Sequence, residues 1–290
     1  MDDEEIKLLA IQGIQQIDPE GAIPLLEGVL SGVNSLAVKR RALYVLALSS
    51  QPRAREMLLS YAKGSGNPDL QIEAIRYIAA NRENQTTSAD LRGIYEGTTD
   101  KSVRIAVIEA FRSSGGRATF FTWSGSGGSL PVTVSATGGR GGRGRGGRAS
   151  SAAAAGQPQD LWALYQKEPD ADLRMQMVAA FASMNAVKEL TEIVKTEQDA
   201  AVRQRAIRGL GGQAGSETGR LLVDLYGAET NDDVRRAVIG ALAAQDNAEA
   251  LVAIARKESS IRLKTEIVGK LSEMAARSKV AADYLMEIIK

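Results

Sequence analysis

The residues best suited by type to acid–base work are two carboxylate pairs, Asp170/Asp172 and Asp232/Asp233. Such groups usually act beside an imidazole or a thiol, and the chain contains neither histidine nor cysteine. That removes disulfides, Cys/His zinc sites, thiol nucleophiles and imidazole proton transfer. The patterns G-x-x-x-x-G-K-[ST], H-E-x-x-H, G-x-S-x-G and the EF-hand loop are all missing from the sequence. Both carboxylate pairs fall where helices should begin, so helix capping accounts for them. No catalytic, cofactor-binding or metal-ligating residue is assigned.

A second chemistry is suggested by Arg140, Arg143, Arg145 and Arg148, which stand in a glycine-rich run over residues 138–148. Read functionally, this is a flexible arm whose guanidinium groups meet nucleic-acid phosphates and stack on bases. Read as composition, it is a solvated loop with no ligand, because a glycine-rich chain does not recover its ordering entropy. Composition favours the loop. A third reading is a local reading-frame disturbance in a GC-rich gene. Residues 118–123 and 130–135 alternate like strands about a Ser/Gly turn, a weak hairpin signal, and residues 149–159 are alanine-rich.

The whole chain is less distinctive in charge. Lys plus Arg is 36 against 35 for Asp plus Glu, so no global field selects nucleic acid or an anionic membrane. With 44% hydrophobic and 24% charged residues over 290 positions, a large continuous core is expected. The acidic start Met1-Asp2-Asp3-Glu4-Glu5 is unlike a signal peptide, and the longest uncharged window, residues 118–139, is full of Gly, Ser and Thr. A cytoplasmic location without a membrane partner is the default expectation.

What must position any site is an internal repeat. Apolar anchors recur at Ile6, Val38, Leu70, Val103, Leu173, Val202, Val234 and Leu263, about 30 residues apart except for one gap of 70. Three residues before each anchor stands a capping type: Asp3, Ser35, Asn67, Asp100, Asp170, Asp199, Asn231 and Ser260. Such side chains accept hydrogen bonds from the free N–H groups of a first helical turn. Apolar residues at +4, +5 and +8 then draw one stripe along a helix. Each anchored helix follows a looser amphipathic segment, so a unit is helix–turn–helix and must stack on its neighbours to bury its face. The fold class expected is all-α, an α-solenoid with one irregular Gly/Arg-rich insertion. Its parts are residues 1–117, the insertion 118–159, and residues 160–290. The 70-residue gap is too long for one unit and slightly long for two, so a helix is expected to be missing there. The chain begins on a second-type helix and ends on a first-type helix, as a piece of a longer protein would.

The residue after each anchor is the least expected feature: Lys7, Lys39, Gln71, Arg104, Arg174, Arg203, Arg235 and Lys264. It lies inside the apolar stripe and near a helix N-terminus, where the macrodipole disfavours a cation. A charge set against both rules needs a partner, and the nearest acceptor in sequence is a capping side chain. The expectation is a ladder joining Asp100, Asp170, Asp199 and Asn231 to Arg104, Arg174, Arg203 and Arg235.

The segments Asp199-Ala200-Ala201-Val202-Arg203-Gln204-Arg205-Ala206-Ile207 and Asn231-Asp232-Asp233-Val234-Arg235-Arg236-Ala237-Val238-Ile239 resemble the second helix of HEAT-like repeats, particularly the short bacterial form. The resemblance covers residues 6–117 and 160–290. It implies an interior Asp–Arg ladder and a concave surface lined by second helices. Relatives of this kind include bilin lyases and base-excision glycosylases, while the metal-dependent hydroxylases use His-Glu ligands that are missing here.

On the exposed side of the second helices, at +3 and +6, stand Arg41, Tyr44, Glu73, Arg76, Arg205 and Arg208. This mixed-charge set with an aromatic suits a protein partner, and it also suits a merely solvated face. The function expected is a non-catalytic scaffold holding a protein or peptide on its concave face. Nucleic-acid binding through the Arg-Gly segment and these arginines comes second, and a lyase or glycosylase third. No cofactor is expected, and the sequence sets no oligomeric state.

Overall fold

The computed structural model describes residues 21–49, 51–64, 66–80, 88–114, 158–213 and 215–290, together with six positions between 6 and 13. Fifteen helices lie between Ala22 and Ile289, and no strand occurs among the described residues. They form pairs: α1 (Ala22–Ser31) with α2 (Leu36–Leu48), α3 (Pro52–Lys63) with α4 (Pro68–Ala80), and α5 (Ser88–Glu96) with α6 (Lys101–Ser114). The series continues with α7 (Pro158–Tyr165) and α8 (Ala171–Ser183), α9 (Val187–Thr196) and α10 (Ala200–Gly211), α11 (Ser216–Ala228) and α12 (Asp232–Ala244). It closes with α13 (Ala248–Lys257), α14 (Ile261–Met274) and α15 (Lys279–Ile289).

Each second helix starts where the capping column predicts. Asn67, Asp100, Asp170, Asp199 and Asn231 each accept the backbone N–H groups two and three residues ahead, and Ser35 and Ser260 accept the one three ahead. Asp3 lies outside the described residues. Proline opens α3, α4 and α7, where its missing N–H would have had no partner.

The apolar stripes meet in one continuous core. Anchors Val38, Leu70, Val103, Leu173, Val202, Val234 and Leu263 are all buried, as are Leu46, Ile78, Phe111, Phe181, Leu210, Leu242 and Leu271 one face-turn on. No unit closes a core alone, since each second helix packs on the second helices before and after it. Through most of the stack the second helices pack on one another more extensively than the first helices do, and the exposed side of the second helices is taken as the inner face. Gly211 is one cause: a Cβ there would stand 2.8 Å from the Ala241 Cα of the next second helix.

The gap in the repeat has a different meaning from the one expected. No unit is missing: α6 packs directly on α8, and α5 on α7. The connection from Ser114 to Pro158 is 43 residues long, where the corresponding connections elsewhere take three, four or seven. Both the hairpin reading of 118–135 and the Arg-Gly run lie outside the described residues. Among the described residues no helix is long and apolar enough to cross a membrane.

Two expectations follow. Replacing residues 118–155 with a four-residue Gly/Ser link leaves a single cooperative thermal transition. Two separated transitions would contradict the continuous stack. Gly211→Ala lowers stability by about 1–3 kcal/mol through overpacking against Ala241, whereas Gly240→Ala, with nothing within 4 Å of the added methyl, raises it by up to about 1 kcal/mol. Denaturant midpoints measured side by side check both signs.

Candidate functional site

The inner face is positioned by fasteners between units, and these begin with the cation that follows each anchor. Its partner is not the capping residue. Arg104 meets Glu168 at 3.4 Å, Arg174 meets Glu197 at 3.0 Å, and Arg203 meets Glu229 at 2.8 Å. Arg235 meets Glu258 at 2.5 Å. Each glutamate belongs to the next unit and sits two residues before its cap. The expected Asp/Asn-to-Arg ladder is thus corrected, for a reason of length. Asp100, Asp170, Asp199 and Asn231 have short side chains already committed to the N–H groups of their own helices. A glutamate two residues earlier can reach the neighbouring unit. Where a cap does receive a cation from the adjoining unit, it comes from Lys101, 3.0 Å from Asp170 and 2.7 Å from Asp172.

The glutamate works in two directions. One oxygen accepts the backbone N–H of its own cap residue, as Glu168 does from Asp170 at 3.0 Å and Glu258 from Ser260 at 2.7 Å. The other faces back, where Glu168 accepts the Tyr95 hydroxyl at 2.5 Å and Glu197 the Tyr165 hydroxyl at 2.5 Å. Tyr226 donates likewise to Glu258. The arginine lies over the tyrosine ring, 5.0 Å for Arg104 on Tyr95 and 4.4 Å for Arg235 on Tyr226. It also donates to the carbonyls just past its own first helix, Arg104 to Thr98 at 2.9 Å and Arg174 to Pro169 at 2.9 Å. The unfavourable dipole of the second helix is thereby offset by the favourable end of the first.

Burial alone would raise the Glu258 carboxyl, but the Tyr226 hydroxyl, the Ser260 amide and the Arg235 charge outweigh it and hold it below the ordinary glutamate value. Glu197 is lowered against its burial in the same way by Tyr165, the Asp199 amide and Arg174. The tyrosines respond oppositely, Tyr226 being raised first by burial and then by its bond to the carboxylate. At the other end of the second helices Gln245 donates to the Leu210 and Gln213 carbonyls, and Gln213 to that of Ala182.

Held at both ends, the second helices present their +2, +3 and +6 positions along one surface. Between α10 and α12 this surface dips into an open cleft of about 470 Å³, walled by Gln204, Arg208, Asp233 and Arg236 over a floor that includes Ala237 and Gly240. Arg205 and Arg208 are exposed, and Arg208 is bonded to Gln204 at 3.0 Å. Toward the other end, Arg41 lies 4.9 Å from the Tyr44 ring centre, and Tyr44 meets Tyr77 edge-on at 5.9 Å. Burial, then Glu73, push the Tyr77 hydroxyl up to about 12. Arg76 pairs with Glu73 at 3.5 Å. The six side chains singled out by spacing therefore stand on this face in two groups. Tyr77, Arg40 and Arg236 were missed, because only +3 and +6 were read as exposed. Among the described residues no cluster of three or more Asp/Glu side chains is disposed to hold a metal ion.

The family model for HEAT repeats matches residues 158–243 and 187–272. Over residues 158–272 the sequence matches HEAT repeats. Among solved structures it is similar to a chain of the complex of CpcE and CpcF of phycocyanin lyase from Nostoc sp. PCC7120, with 14% identity, 91% of this chain and 92% of that one covered, and a TM-score of 0.37. A computationally designed self-assembling cyclic homo-oligomer matches with 12% identity, coverage of 98% and 88%, and a TM-score of 0.15. Comparison with curated protein sequences gives no match. The glutamate rungs at Glu197, Glu229 and Glu258 all fall within the matched HEAT repeats.

Because Glu258 is a nearly inaccessible charge with three donors, Glu258→Ala should cost about 3 kcal/mol, chiefly from the arginine and tyrosine left unpaired. Tyr226→Phe should cost about 1–2 kcal/mol. The depressed carboxyls of Glu197 and Glu258 contribute stability that is present above the unfolded glutamate value and is lost as pH falls through the folded one. Denaturant titrations from pH 6 downward should show stability falling below about pH 4.5, less steeply in Glu258→Ala than in the parent.

Proposed function

We propose that this protein is a non-catalytic scaffold that binds a protein or peptide segment along the inner face of its HEAT repeats. The observation that supports it most is the composition of that face: an arginine and an aromatic pair toward one end, and toward the other an open cleft lined by Arg208, Arg236, Ala237 and Gly240. Arginine and tyrosine are the residue types that most often dominate binding energy at protein interfaces. A shallow open cleft suits an extended chain better than a small substrate, which needs a concave pocket that covers most of its surface. The partner surface proposed consists of Arg41, Tyr44, Glu73, Arg76, Arg205 and Arg208.

The test uses the full chain with a photo-cross-linking residue placed either on the inner face, at Arg76 or Arg208, or on the outer first-helix face, at Arg53. A partner captured from lysate should cross-link from the inner positions and not from Arg53. Arg208→Ala with Tyr44→Ala should weaken that partner at least tenfold. Cross-links confined to the outer face would sink the reading. RNA or DNA binding that falls steeply with salt, with no protein captured, would favour the nucleic-acid alternative instead.

A further inference from the structure

We propose that the cleft between α10 and α12 seats one acidic side chain of an extended peptide, with an aliphatic side chain two residues along resting on the Ala/Gly floor. This rests on the scaffold reading above and names what that surface holds. Two guanidinium groups frame the opening, Arg208 from α10 and Arg236 from α12, with Gln204 on the first wall and Asp233 on the second. Arg208 donates to the neutral Gln204 amide oxygen at 3.0 Å. Among the described residues neither Arg208 nor Arg205, three places before it, has a carboxylate within ion-pair distance. Arg236 meets Asp233 at 3.2 Å and Glu266 at 3.9 Å, yet its buried Nε has no hydrogen-bond acceptor. Asp233 and Glu266 are therefore committed to Arg236, and the charge on the α10 wall stands without a counter-ion. A carboxylate brought by a partner supplies one.

The shape adds the second half of the ligand. Along α12 the lining passes from Asp233 and Arg236 in the first turn to Ala237 and Gly240, and then to Ala241 and Ala244. No side chain fills the middle, for a Cβ added at Gly240 would have nothing within 4 Å. Ala237 and Ala241 stand one turn apart, about 6 Å at a rise of about 1.5 Å per residue. Side chains two residues apart on an extended chain project from one face about 7 Å apart. An acid held by the arginines thus sets an aliphatic group over Ala241 and Ala244, and a cleft of about 470 Å³ accommodates both. A nucleic-acid strand fits less well. Its successive phosphates would meet Asp233 and Glu266, whereas a peptide brings a single carboxylate.

A display library of 12-residue peptides selected on the full chain tests this, followed by affinity measurement of the enriched sequences. The expected enrichment is an Asp or Glu two places from an aliphatic residue. Gly240→Leu, which fills the cleft from a position with open space around it, should weaken these peptides at least tenfold, as should Arg208→Gln. Gly227→Leu, on the first helix α11 and equally free of neighbours, should leave affinity unchanged, and thermal melts of all three variants check that each is folded. Replacing the peptide's acid with its amide should weaken binding about tenfold to the parent and much less to Arg208→Gln; equal losses on both would show that the acid does not meet Arg208 and would overturn the proposal. Enriched peptides that ignore Gly240→Leu but are lost in Tyr44→Ala would also overturn it and leave the inner-face reading standing. Peptides indifferent to every inner-face substitution, or no enrichment at all, would remove both. A 12-nucleotide single-stranded RNA that binds, and is lost in Gly240→Leu, while no peptide is enriched would replace the peptide with a nucleic-acid ligand.

Discussion

A carboxylate shared between two units carries the architecture. Glu168, Glu197, Glu229 and Glu258 each hold the start of their own second helix with one oxygen and the previous unit's arginine with the other, and in three of the four cases a tyrosine hydroxyl as well. A buried ion pair is weak evidence for net stability, because desolvation offsets much of its attraction. What this one supplies is register. The apolar stripes alone would let one unit slide or rotate on the next, since Leu, Ile, Val and Ala pack in more than one way. A carboxylate with fixed donors on both sides accepts a single arrangement.

That constraint is uneven along the chain. In the N-terminal units the glutamate position is taken by Val33 and Thr98, and Val33 is fully exposed. Thr98 still accepts the Asp100 amide at 3.1 Å, and Gln71 turns back to the Ala62 carbonyl at 2.9 Å. These bonds stay within a unit. The first glutamate rung is Tyr95 and Arg104 to Glu168, and the next three interfaces each have one. The N-terminal units are joined instead by more exposed pairs such as Arg40 with Asp69 and Arg53 with Glu27.

The fold was legible because periodicity and capping are local. A Ser, Asn or Asp three residues before an apolar anchor declares a helix start wherever it occurs, and seven of the eight lie among the described residues and cap as read. The pairing of the arginines was not legible by the same route. Sequence proximity favours the cap, whereas the true acceptor is 23 to 64 residues away. A signal was nonetheless present in Glu168-Pro-Asp170, Glu197-Gln-Asp199, Glu229-Thr-Asn231 and Glu258-Ser-Ser260, a glutamate two places before each cap. The gap was misread because spacing counts residues and not layers. A long connection adds to the count without adding a helix to the stack. The candidate face was half legible: angular arithmetic gave +3 and +6, but that the +2 residues are only partly covered depends on how neighbouring second helices pack.

The rung at Glu168 has a bearing on how the two halves stay together. Tyr95 and Arg104 precede the 43-residue connection and Glu168 follows it, while α6 and α8 share a buried apolar interface. Cohesion across that point is therefore lateral, through side chains, and owes little to the peptide bonds that happen to run there. Cleaved anywhere between Ser114 and Pro158, the molecule would be two chains and still one stack, much as a zipper stays shut when its tape is cut beside a closed tooth.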